Sequence, residues 1–139
     1  MKESPEKVVM EHHRQLDGSD PSQLVLELDD YAEFSEEAAT VVIAPGAQHF
    51  STVIWHLEPG QENDYHLHPS TEHVQFVIEG ECEYSLGDRD PVTVRPGQIV
   101  VVPAGVPHGI RNVGERRARY VAVNSPGRYE KVLVERPRV

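Results

Sequence analysis

The sequence predicts an all-β domain, and three observations lead there. From Thr40 onward, short runs rich in Val, Ile, Tyr and Thr follow one another. Gly and Pro punctuate them at close, even intervals. No stretch carries enough helical periodicity to support alternating β and α units. Many short strands at this spacing describe a sandwich or a barrel.

Taken in order, residues 4–16 are expected to form a short helix, with Ser4 as N-cap and Pro5 at the first helical position. Gly18 to Ser22 reads as a turn. Leu24-Val25-Leu26-Glu27-Leu28 alternates like a strand, and 29–39 is acidic, either one helical turn or a loop. Strands are expected near 40–44, 49–57, 65–68, 72–79, 82–86, 91–95, 99–102, 108–113, 118–124 and 131–135. The breakers between them are Pro45-Gly46, Pro59-Gly60, Pro69, Gly80, Gly87-Asp88, Pro96-Gly97, Pro103-Ala104-Gly105, Gly114 and Pro126-Gly127. The chain divides into an N-terminal extension, 1–39, and a β domain, 40–139.

Composition narrows the function. The chain has 139 residues, 38% hydrophobic and 26% charged, the range of one ordinary globular domain. A formal net charge of −10 argues against a nucleic-acid surface, which needs clustered Lys and Arg, and points to a small-molecule ligand or another protein. No apolar run approaches the ~20 residues that span a bilayer, and the polar start does not read as a signal peptide. A cytoplasmic location is expected. One cysteine, Cys82, excludes an internal disulfide framework and is expected to be a small apolar filler.

The chemistry is concentrated in His66-Leu67-His68-Pro69-Ser70-Thr71-Glu72-His73. His66 and His68, two apart, share one face of a strand. His73 is at an odd offset, but the break at Pro69 can reset the parity. A further histidine, His108, opens a strand after the tight turn Pro103-Ala104-Gly105. Each alone could be a hydrogen-bonded interior histidine; together they argue for a metal site.

These two stretches resemble the paired signature motifs of the cupin superfamily. The first runs Gly60, five residues, His66-x-His68, four residues, His73, six residues, Gly80; the second runs Gly97, five residues, Pro103-x-Gly105, two residues, His108, three residues, Asn112. The resemblance covers about residues 40–126 and implies a cupin-type β-barrel, a jelly-roll-like double-stranded β-helix. The first motif usually carries a glutamate ligand where this chain has His73, and Glu72 lies one residue earlier. The expected ligands of one divalent metal are therefore His66, His68, His73 and His108, with Glu72 as the alternative to His73.

Four neutral imidazoles would leave the full charge of the ion in the cavity, suited to an anionic oxygen donor such as a 1,3-dicarbonyl enolate. Two enzyme classes follow from the resemblance. One is similar to the bacterial monocupin cyclases of aromatic polyketides, with zinc promoting aldol-type ring closure. The other is similar to the all-histidine cupin dioxygenases, with Fe or Mn; Ni is a further option for the metal. A non-enzymatic binding cupin is the third alternative. Gln75 shares strand parity with His73 and Val77, and would contact substrate, a metal-bound water or a neighbouring side chain. His56 would serve as acid/base if its face is inward, and Tyr120 and Asn124 would contact substrate if theirs is. Trp55 and Phe76 are expected in core or interface, and His12 and His13 in no site. The strand expected at 24–28 would extend a sheet across a subunit boundary, so a homodimer is expected.

Overall fold

In the computed structural model, residues 6–10 and 15–137 are described. Eleven strands run in chain order: β1 (Lys7–Val9), β2 (Thr40–Ile43), β3 (Ser51–Leu57), β4 (Glu62–Leu67), β5 (His73–Glu79), β6 (Cys82–Leu86), β7 (Val92–Val94), β8 (Ile99–Val102), β9 (His108–Arg111), β10 (Ala118–Asn124) and β11 (Val132–Leu133). They form a six-stranded sheet in the order β1-β2-β3-β10-β5-β8 and a five-stranded sheet in the order β11-β4-β9-β6-β7. The hydrogen-bonded ladders thus give two sheets rather than one closed barrel. Chain-adjacent strands repeatedly lie in opposite sheets, as β4 and β5 do, which winds the chain into a double-stranded β-helix.

Alternation decides what faces inward. In β10, Ala118, Tyr120, Ala122 and Asn124 are buried, and in β5, His73, Gln75 and Val77 are. Period-two burial of this kind places every second side chain between the sheets. One half of the interior is filled by a packed apolar core that includes Leu57, Val77, Cys82, Tyr84, Ile110 and Tyr120. The histidines of β4, β5 and β9 occupy the other half.

Two glycines make the close packing feasible. Gly80 has φ +69°, and a Cβ there would lie 2.4 Å from the Arg117 carbonyl oxygen, so the β5–β6 turn excludes any side chain. Gly109 lies opposite a bulge in β4, where a Cβ would approach the Tyr65 Cα to 3.2 Å. At that bulge the pairing steps from Asn63 opposite Ile110 to His66 opposite His108, three residues against two. The extra residue turns both Asn63 and His66 inward despite their odd spacing.

The N-terminal region departs from expectation. Lys7–Val9, inside the segment expected to be helical, is a strand that pairs in parallel with β2; Ser4, Pro5, His12 and His13 lie outside the described residues. Its ladder partner is more than thirty residues away in sequence, and that tertiary pairing outweighs a local cap signal. The strand expected at 24–28 is not formed. Two 3-10 turns, Pro21–Leu24 and Leu28–Tyr31, bracket it, and Val25 is 75% exposed. Alternation there has neither a partner strand nor a core to face. The ground given for a subunit contact at 24–28 is removed with it. Among the described residues, no helix is long and apolar enough to cross a membrane.

Candidate metal centre

Four imidazoles converge between the sheets. The end of β4 and the residue just beyond it carry His66 and His68; β5 opens with His73 and β9 with His108. All four are buried. Ring centroids of His66 and His108 are 4.2 Å apart, those of His73 and His108 4.6 Å, and those of His68 and His73 5.1 Å. Ligand nitrogens of His66, His68 and His108 all lie within 4.8 Å of one another, so this trio could hold a metal ion. His73 stands at its edge. Glu72 is exposed, and its backbone N–H donates to Ser125 Oγ.

The hydrogen bonds set the tautomers. His66 donates from Nδ1 to the Asp64 carbonyl, His68 to the Glu130 carbonyl at 2.6 Å, and His108 to the Val106 carbonyl at 3.0 Å. A neutral imidazole that donates from Nδ1 has a bare lone pair on Nε2. The Nε2 atoms of His66 and His68 nevertheless face each other at 3.2 Å. Two lone pairs at that distance repel unless a cation lies between them. Two nitrogens about 2.1 Å from one ion, at tetrahedral or octahedral angles, sit roughly 3.0–3.4 Å apart. Nε2 of His73 and of His108 are buried without a hydrogen-bond partner. The donor set fits a divalent metal.

Burial also holds these rings neutral. It pushes His108 down to about 4 and His73 to about 3, with neighbouring imidazoles adding to the effect. His66 falls to about 2 for the same reasons, and His68 is lowered too. Neutral imidazole is the form that binds metals.

Beside the cluster opens a cavity of about 340 Å³. Its walls are apolar where Val41, Val53, Trp55 and Ala122 line it, and polar where Asn63, Asn124 and Ser51 do. Among the described residues, Lys131 and Glu6 are the Lys, Arg, Asp or Glu side chains at its wall. That mixture, mostly apolar with a few convergent polar groups, suits a small organic ligand.

Other singled-out residues find definite places. Gln75 lines the cavity but is engaged on both sides: Tyr84 Oη donates to its Oε1 at 2.6 Å, and its Nε2 meets His73 Nδ1 at 3.1 Å. Tyr120 is fully buried, stacks against Trp55 at 6.0 Å, and accepts from Asn63 Nδ2 at 2.9 Å, so it supports the cavity wall from behind. Asn124 donates to Ser51 Oγ at 3.1 Å. His56 lies on the opposite face of β3 from Trp55, away from the cavity, with its ring edge against Phe34 at 5.1 Å and Nδ1 3.3 Å from the Thr40 carbonyl. The acid/base role raised for it required an inward face, which it does not have. Asn112 closes the second motif structurally, donating to the Leu57 and Arg116 carbonyls. Burial pushes the Cys82 thiol up to about 12, which leaves it unreactive.

Asn63, Glu6 and Lys131 escaped the sequence reading. Asn63 faces inward only because of the bulge, and Glu6 reaches the cavity only because β1 pairs with β2. Lys131 follows a loop whose path no local pattern reveals. It donates to Asn63 Oδ1 at 2.8 Å and to Glu6 Oε2 at 2.9 Å.

Two facing sheets wound as a double-stranded β-helix, with imidazoles gathered at one end of the interior, define a double-stranded β-helix protein whose histidine cluster could hold a metal ion. The family model of the cupin domain matches residues 53–124, and the chain belongs to that family. It is 36% identical over 70 residues to "Polyketide synthase CurC" of Streptomyces cyaneus, a match covering 50% of this chain and 45% of that protein. It is 37% identical over 59 residues to a 3-hydroxyanthranilate 3,4-dioxygenase of Bacillus thuringiensis (strain Al Hakam), covering 40% of this chain and 32% of the other. Both matches therefore span less than half of the curated relative. A solved protein with a double-stranded β-helix domain from Klebsiella pneumoniae superposes with a TM-score of 0.74 at 29% identity, covering 81% of this chain and 97% of that one.

Proposed function

We propose that the chain is a metal-dependent cupin enzyme that acts on a 1,3-dicarbonyl, polyketide-type small molecule as a cyclase. His66, His68 and His108 would hold one divalent ion, zinc first among the candidates, with His73 as fourth ligand. The observation that carries this reading is the 3.2 Å approach of two bare Nε2 atoms in a buried pocket open to a ligand-sized cavity. When bound, the ion would supply Lewis-acid polarisation of the two carbonyl oxygens and ease loss of the proton between them. The chain's own residues do the rest. The apolar wall formed by Val41, Val53 and Trp55 excludes water and folds a flexible chain so that its ends meet. Asn63, held by Tyr120 and Lys131, offers a fixed polar edge. The resemblance to the Streptomyces protein, named as a polyketide synthase, supports this choice of substrate.

The test is elemental analysis of the purified protein, followed by incubation with poly-β-ketones and product analysis. Zinc near one per chain and a cyclised, dehydrated product support the proposal. A second reading has its own observation, the comparable identity to a dioxygenase. Iron or manganese in the protein, with oxygen uptake on diketones, would replace the cyclase by that reading. We further place the protein in the cytoplasm as a homodimer, with no nucleic-acid or membrane partner.

A further inference from the structure

The cavity holds a second polar centre besides the histidines. Lys131 Nζ lies 2.9 Å from Glu6 Oε2 and 2.8 Å from Asn63 Oδ1, and 5.2 Å from the centre of the Trp55 ring. Both charged side chains are largely withdrawn from water, 12% exposed for Lys131 and 17% for Glu6. A buried ion pair contributes little net stability, because desolvation offsets most of its attraction. This pair sits at the wall of a cavity whose other end is the metal centre. The charge of Lys131 reaches His66, His68 and His108.

The two partners adjoin short edge strands of opposite sheets. Lys131 adjoins β11, and the carbonyl of its neighbour Glu130 accepts from His68. Glu6 precedes a three-residue strand at the edge of the six-stranded sheet, bonded, among the described residues, along one side only, to β2. The cation is thereby tied to the histidine cluster, while its counter-ion enters from a strand of the opposite sheet.

We infer that Lys131 anchors a carboxylate on a ligand whose other oxygens lie at the histidine cluster, and that Glu6 is the resident counter-ion which this carboxylate displaces. The inference rests on the reading of this cavity as the substrate site and sharpens it: the preferred ligand carries its own carboxylate beyond the chelating dicarbonyl. One carboxylate replaces another on the ammonium group, so the exchange keeps the buried ammonium paired. Asn63 Oδ1 stays on Lys131 throughout and keeps the ammonium aimed at the wall.

Trp55 is the sole tryptophan of the chain, so its fluorescence reports on the space beside Lys131. The experiment titrates the protein, as purified, with hexanoate, which has a carboxylate and no dicarbonyl. Wild type should show a saturable change. Lys131→Met should weaken it at least about tenfold, Lys131→Arg should retain it, and Glu6→Gln should tighten it several-fold because the competing carboxylate is gone. Equal affinity in wild type and Lys131→Met overturns the inference. So does the absence of any saturable response in both wild type and Glu6→Gln. If Lys131→Met does not fold by circular dichroism, a Glu6→Gln affinity no tighter than wild type decides against it. Acetylacetone, followed by calorimetry on the metal-loaded protein, addresses the other reading. It has the dicarbonyl and no carboxylate, so its failure to bind counts against a dicarbonyl substrate and leaves the hexanoate result standing.

Discussion

His73 meets the side-chain amide of Gln75 at 3.1 Å through Nδ1, whereas His66, His68 and His108 each donate Nδ1–H to a backbone carbonyl. A carbonyl can only accept, so it dictates one tautomer. An amide can present either its oxygen or its nitrogen in the same space. With the nitrogen facing His73, Nδ1 accepts and the ring proton sits on Nε2. With the oxygen facing it, Nδ1 donates and Nε2 is free to ligate. His73 is therefore the adjustable member of the cluster.

A change of tautomer at His73 is expected when zinc is added to stripped protein. Nitrogen-15 shifts of the imidazoles should move its proton from Nε2 to Nδ1, while His66, His68 and His108 keep theirs on Nδ1. Gln75→Leu should lower zinc affinity on the order of tenfold, the usual scale for loss of a partner that orients a ligand. An unaltered affinity would show that the amide plays no part in ligation.

Removing one of the trio should be more severe. His108→Ala is expected to lose stoichiometric metal in elemental analysis, and His66→Ala likewise. Glu72→Ala should keep it, because that side chain is exposed. Full metal content in both histidine variants would rule out the trio as the centre.

The stripped protein should lose stability in acid. His56, His73 and His108 have folded-state values near 4, 3 and 4, below the ordinary 6.5. Between those values the unfolded chain binds more protons, so stability is fully present above pH 6.5 and falls as pH drops towards 4. Each buried histidine contributes on the order of 3 kcal/mol across that window. Melting temperatures from pH 8 to pH 4.5 should be flat and then fall. Substituting His56 by Gln should make the decline shallower without touching metal content. A melting temperature that holds steady from pH 6.5 to 4.5 would contradict this account.

The proposed homodimer needs a contact other than 24–28, which forms no strand. On β8, Val100 and Val102 point into the core while Ile99 and Val101 are 61% and 71% exposed at the edge of the six-stranded sheet. Two outward β-branched residues on an open edge suit pairing with a second copy. Light scattering after gel filtration should give twice the chain mass for wild type and the single mass for Val101→Asp. A monomeric wild type would dispose of the dimer altogether.

Much of this was readable from residues alone where local signals carry the decision. Pro and Gly bounded β2 to β10 within a few residues, and His-x-His with a Pro-x-Gly turn marked the cluster. Local signals failed at Lys7–Val9, whose strand state comes from β2, and at Leu24–Leu28, where alternation met no partner. They failed again at Asn63, where one extra residue in a ladder reverses the facing of everything before it. His56 shows the same limit from the other side: its residues left its facing open, and although Ile54 to Leu57 are all buried, Trp55 rather than His56 lines the cavity. Which face is inward is a property of the packed sheets.

His66 and His108 take their orienting carbonyls from two residues away, but His68 takes its own from Glu130, 62 residues downstream. A chain still being synthesised therefore cannot present His68 correctly until residue 130 has left the ribosome and folded back. Metal capture at this cluster would then be a late event in the life of the molecule. An ion bound there with full affinity would certify that the segment from His68 to Glu130 has reached its native arrangement.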